Sequence, residues 1–95
     1  MKIKTKSGFV IDVDEKRAKD WRFTMHLAEW EKHETLIQGM TACVEFLLGK
    51  DGEKALMDHV KDEDGFISSD LMISEFREIL ELLGEKVKKS ASSQG

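Results

Sequence analysis

The chain opens with strict alternation. KIKTKSGFVIDV sets Ile3 and Thr5 opposite Lys2, Lys4 and Lys6, turns at Ser7-Gly8, and resumes with Phe9, Ile11 and Val13 on one face. A period of two on both sides of a Ser-Gly turn predicts a β-hairpin over residues 2–13. The lysines share one face of the first strand, where charge on a short edge discourages pairing with another chain.

The pattern then changes to threes and fours. Asp12-Val13-Asp14-Glu15 supplies an N-cap and first-turn acids for a helix over 15–31. At about 100° per residue, Ala18, Trp21, Met25 and Ala28 fall on one side and Phe23, Leu27 and Trp30 on nearly the opposite side. A surface helix usually carries one apolar stripe. Here there are two, so Phe23, Leu27 and Trp30 are either a second core face or a surface for a partner.

In HETLIQGMTACVEFLLG, Thr35 and Gln38 have capping-box spacing, and Leu36, Ile37, Met40, Cys43, Val44, Leu47 and Leu48 predict a helix over 35–48 ended by Gly49. Gly39 inside it costs about 1 kcal/mol relative to alanine, which points to close packing against a neighbour. A short helix over 52–61 follows Asp51-Gly52. After an acidic turn, Ser68 or Ser69 caps a helix over 69–83 bearing Met72, Ile73, Phe76, Ile79, Leu80 and Leu83, with Gly84 at its end. Residues 87–95, VKKSASSQG, have no periodicity and read as a disordered tail. The expected architecture is one α+β domain over 1–86, an N-terminal β-hairpin followed by three to four α-helices.

Composition narrows the function. With 95 residues there is material for one modest core. A net charge of −4 argues against nucleic acid as the main partner, because affinity for phosphates comes from clustered Lys and Arg. No apolar run approaches the length of a membrane span, and the single cysteine, Cys43, has no intramolecular disulfide partner, so a reducing cytosolic setting without membrane contact is expected.

Candidate chemistry is sparse. KDEDGFISSDLM looks like a calcium loop, with Gly65 at its turn and Asp62 and Asp64 as ligands, yet its two end positions fall on Val60 and Leu71, which offer hydrocarbon to a hard cation. The stretch reads instead as a turn that breaks one helix and caps the next, with Phe66 and Ile67 anchoring it to the core. His26, His33 and His59 lack the partners at helical spacing that a zinc site needs. Cys43 lies on an apolar stripe, where an inert buried thiol is expected. Ser7-Gly8 and Gly49-Lys50-Asp51-Gly52 are too short for a phosphate loop. The residues therefore supply no catalytic apparatus, cofactor or metal site.

The order of segments carries a resemblance. A hairpin ending in FVIDVDE, a helix with DWRFTMHLAEW, then FLLGKDGEKALMDHVKDEDGFI, EFREILELLGEK and a Lys-Ser-rich tail resemble the small tail assembly chaperones of long-tailed phages and prophages over nearly the whole chain, KHETLIQGMTACVEF excepted. The resemblance implies a protein of the bacterial host cytoplasm, absent from the mature virion, that coats the tape measure protein and recruits tail tube subunits. In that family a frameshift near the end of the gene often yields a longer form. A helical tape measure protein needs many copies of an acidic adaptor offering an apolar helix face. Trp21, Phe23, Leu27 and Trp30 are the residues expected to meet such a segment or, in a homo-oligomer, a sister subunit. The competing readings are a calcium-responsive interaction module and a prophage regulator that binds DNA, although the acidic helices offer no basic recognition face.

Overall fold

In the computed structural model, which describes residues 1–32 and 37–92, the alternating segments form antiparallel strands β1 (Lys2–Lys4) and β2 (Val10–Asp12), with Ile3 opposite Ile11. The loop between them closes where Gly8 N–H donates to the Thr5 carbonyl at 3.0 Å and Thr5 N–H to the Phe9 carbonyl at 2.9 Å. Alternation decides burial: Ile3, Thr5, Phe9 and Val13 face inward and the three lysines outward. Thr5 is the polar member of that face, and its Oγ1 accepts from Phe9 N–H at 3.2 Å, which offsets the cost of burying a hydroxyl.

The helix expected over 15–31 is two helices. Asp14 caps α1 (Glu15–Ala18), its side chain accepting from Lys16 N–H at 2.9 Å. The chain then leaves helical hydrogen bonding at Lys19-Asp20, and α2 (Trp21–Lys32) starts afresh. Asp20 is the physical reason. Its Oδ1 accepts from Arg22 N–H at 2.8 Å, so the side chain takes a backbone donor that a continuous helix would pair with a carbonyl, and a second N-cap results.

Helix α3 spans Ile37–Val60 among the described residues; Thr35 of the expected capping box and Leu36 of the expected stripe lie outside them. Gly49 breaks it internally, at φ 75° and ψ 173°, and helical structure resumes with no intervening loop. The last helix, α4 (Ser69–Ser92), is capped by Ser68, whose Oγ accepts from Leu71 N–H at 3.3 Å. It does not stop at Gly84. That residue keeps a helical backbone, and Glu85, Lys86, Lys88 and Lys89 are good helix formers with no proline behind them, so helix continues to Ser92 in place of the unstructured tail expected from 87; residues 93–95 of that tail lie outside the described residues.

The core joins all these pieces. Ile3, Phe9 and Val13 from the hairpin meet Phe23 and Trp30 of α2, Met40, Cys43, Val44, Leu47 and Leu56 of α3, and Phe76, Ile79 and Leu83 of α4. Helices α2 and α3 lie so close at Gly39 that an added Cβ would sit 2.9 Å from Trp30 Cα, which accounts for glycine at that position.

Cys43 is fully buried, and burial, with a smaller push from the Glu31 carboxylate, raises its thiol pKa to about 11. The folded chain holds this proton more tightly than the unfolded one. The corresponding stability is therefore present below the ordinary thiol value of about 8.5 and is lost as pH rises through about 11. Urea melts between pH 8 and 11 should show that decline. At pH 8 a thiol reagent such as DTNB is expected to label the chain promptly only in denaturant, whereas prompt labelling of native protein would contradict the buried placement.

Candidate protein interaction surface

The break at Asp20 also aims α2. Arg22 folds back onto the capping carboxylate, Nε to Oδ1 at 3.0 Å and Nη2 to Oδ2 at 2.8 Å. This two-point pair, chiefly through the side-chain bond and then through the backbone N–H, holds the Asp20 carboxyl down at about 2. The cap therefore stays charged throughout the physiological range. With the first turn fixed in this way, the two apolar stripes of α2 take different fates.

Phe23 and Trp30 turn inward and are about 95% buried. Phe23 stacks on Phe46 with ring centroids 6.3 Å apart, and Trp30 meets Phe76 at 5.8 Å under the Arg77 guanidinium. Leu27 is half-buried beside them at the mouth of an α2–α4 cleft. The stripe expected to be either core or partner face is therefore core at Phe23 and Trp30 and core edge at Leu27, because α3 and α4 close over that side of the helix. On the opposite stripe, Trp21 is 72% exposed, Met25 is 55% exposed one turn later, and Ala28 extends the line. Of the four residues expected to meet a partner, Trp21 is the one presented to solvent.

Beside this stripe lies a shallow polar hollow lined by Lys16, Arg17, Asp20, Arg22, His26, Ala42, Glu45 and Phe46. Arg22 and His26 both lie against the Phe46 ring, at 5.2 and 5.9 Å between centres. Their apolar faces are thereby covered, leaving polar edges outward.

Periodicity gave no sign of a second polar group. The hairpin loop is tied to residues distant in sequence: Ser7 Oγ lies 2.9 Å from His59 Nε2 and donates to Glu75 Oε1 at 2.6 Å, while Lys6 N–H donates to Glu78 Oε2. In a nucleophilic triad the carboxylate orients the imidazole and the imidazole takes the hydroxyl proton. Here the Ser7 hydroxyl donates its hydrogen bond to the carboxylate directly, and His59 does not stand between them. This network fastens the loop to α3 and α4.

The acidic turn is likewise structural. Asp62 Oδ1 accepts from the N–H groups of Asp64 and Phe66, both at 2.9 Å, and Asp62 N–H donates to the Phe66 carbonyl. Its Oδ1 is thereby committed to the turn itself. Phe66, expected to anchor the turn to the core, is 64% exposed, because backbone bonds already fix it; Ile67 alone turns inward. Among the described residues no three His, Cys, Asp or Glu side chains converge as a metal site, and no helix is long and apolar enough to cross a membrane.

No family model, curated protein or solved structure matches this chain. The functional reading therefore rests on the exposed α2 stripe and on the resemblance in segment order.

Proposed function

We propose that this chain is a non-catalytic tail assembly chaperone, which binds the tape measure protein of a long-tailed phage or prophage in the bacterial host cytoplasm and recruits tail tube subunits to it. The observation that carries this reading is the solvent-facing pair Trp21 and Met25 on a helix whose other stripe is buried in the core at Phe23 and Trp30. A protruding tryptophan with an adaptable methionine one turn away is the kind of anchor that dominates helix-to-helix recognition. The fixed N-cap holds the backbone that presents it, which removes the backbone-ordering part of the cost of binding.

Co-expression tests the reading. With wild-type chain present, the tape measure protein encoded in the same genome should stay in the soluble fraction and co-purify. Trp21→Glu and Met25→Glu change exposed side chains and should leave folding stability within about 0.5 kcal/mol. Each is expected to reduce the co-purified protein by about tenfold, the equivalent of about 1.4 kcal/mol of binding. A tape measure protein that stays insoluble beside wild-type chain, or that co-purifies equally with both variants, would defeat the proposal.

A further inference from the structure

The charge of this protein is concentrated. Residues 51–70 hold seven acids against two lysines, a net of −5 in a chain whose total is −4. That segment forms the second half of α3, the turn after it and the start of α4. Between those elements lies an apolar groove of about 270 Å³ lined by residues that include Met40, Val44, Met57, Ile67, Met72 and Ile73, with Glu53 among them. Met40 is nearly buried at its floor, whereas Met57 is 36% exposed. Three of the chain's five methionines line this one groove.

We propose that this groove is a second docking surface, which receives a basic amphipathic helix of another protein by taking one large apolar side chain between the methionines, while Glu53 in its lining and the net negative charge of the 51–70 segment that supplies part of its walls attract flanking lysines or arginines. Three observations select that occupant. Drug-sized ligands use pockets of about 300–1,000 Å³, and this groove has room for one or two side chains. Methionine's flexible, polarisable side chain adapts to differently shaped anchors and is favoured on surfaces that bind helices. The acids repel anionic lipid and nucleic-acid phosphates and attract cationic peptides from a distance.

The chain itself does not fit the groove. Its last helical residues, EKVKKSAS, bring lysines but only Val87 as a large apolar side chain. The exposed α2 stripe of a second copy brings Trp21, yet residues 14–32 carry five acids and five bases and so have no net charge to complement the groove. No α2 residue lines the groove, so this surface stands or fails separately from the one proposed above.

A synthetic helical peptide with Leu and Trp on one face and Lys on the other is the probe, with a Glu-for-Lys version as control. Titration into protein carrying ¹³C-methyl methionine should move the Met40, Met57 and Met72 signals and leave Met1 and Met25 in place. Affinity should drop about tenfold or more between 50 and 500 mM salt, because the attraction is between exposed charges. Met57→Glu should weaken binding by a similar factor. Neutralising the turn, as Asp62→Asn with Glu63→Gln and Asp64→Asn, should reduce the salt dependence. Asp62 also caps the turn, so Glu63→Gln with Asp64→Asn alone is measured as a second variant that leaves that cap intact. Equal binding of the acidic peptide, movement confined to Met25, or methionine shifts that appear on concentrating the protein without peptide would each overturn the proposal; the last would mark the groove as a contact between copies.

Discussion

Trp30→Ala is expected to cost about 3 to 5 kcal/mol, a large part of the roughly 5 to 15 kcal/mol that holds a domain together. The side chain is 95% buried between α3 and α4, with its ring 5.8 Å from Phe76 and the Arg77 guanidinium 5.3 Å from its centre. Deleting it removes the transfer free energy of an indole and leaves a cavity that cannot collapse easily, because Gly39 already brings the α2 and α3 backbones together at that residue. Trp21→Ala is the matched control. Trp21 is 72% exposed, so its loss should leave the urea midpoint nearly unchanged. Far-UV circular dichroism in urea measures both variants. Near-wild-type stability of Trp30→Ala, together with lost partner binding, would place this residue on a partner face and refute its assignment to the core.

Gly49→Ala and Gly84→Ala should move stability in opposite directions, although both glycines lie inside helical segments. Gly49 adopts φ 75° and ψ 173°, a region essentially restricted to glycine. Alanine there must either accept strain of about 1 to 3 kcal/mol or straighten the kink. Straightening would redirect the second half of α3, which delivers Leu56 to the core and Met57 to the groove. Gly84 has helical φ and nothing within 4 Å of an added Cβ, so alanine relieves a helix-propensity cost of about 0.5 to 1 kcal/mol. Thermal melts of the two single variants decide the matter. A stabilised Gly49→Ala would show that the kink is not required, and a destabilised Gly84→Ala would show that α4 does end there.

The two sets of glycine and aspartate positions illustrate how local signals must be weighed. Gly49 and Gly84 both follow a run of apolar helix, and both resemble a C-terminal stop. What separates them is the sequence beyond: Lys50-Asp51-Gly52 introduces a new apolar register through Leu56 and Val60, whereas Glu85-Lys86-Val87-Lys88 only prolongs a solvated helix. Asp20 is an N-cap residue type in the middle of a continuous apolar spacing, which predicts one helix across it; the bonds from Arg22 to its carboxylate show that the cap wins.

Local pattern fixes the type of structure along most of the chain, hairpin first and helices after, though not the break at Asp20 or the joining of the two halves of α3. Alternation in KIKTKSGFVIDV is a local property of a strand with one buried face, and the spacing of Met40, Cys43, Val44 and Leu47, or of Phe76, Ile79 and Leu83, is a local property of a helix with one buried side. The hairpin, the core faces of α3 and α4, a cap within Asp12–Glu15, a cap at Ser68 or Ser69 and the close approach at Gly39 are therefore readable from the chain, and the hydrogen bonds pick out Asp14 and Ser68. Tertiary structure alone decided which stripe of α2 is covered, since periodicity gives the angle between two faces and not which of them a neighbour occupies. It likewise decided the meeting of Ser7 with His59 and Glu75, 52 and 68 residues away, and the convergence of Met40, Met57 and Met72 from two helices on one groove. Such contacts depend on how elements pack across the whole chain, and the spacing within any one element carries no information about them.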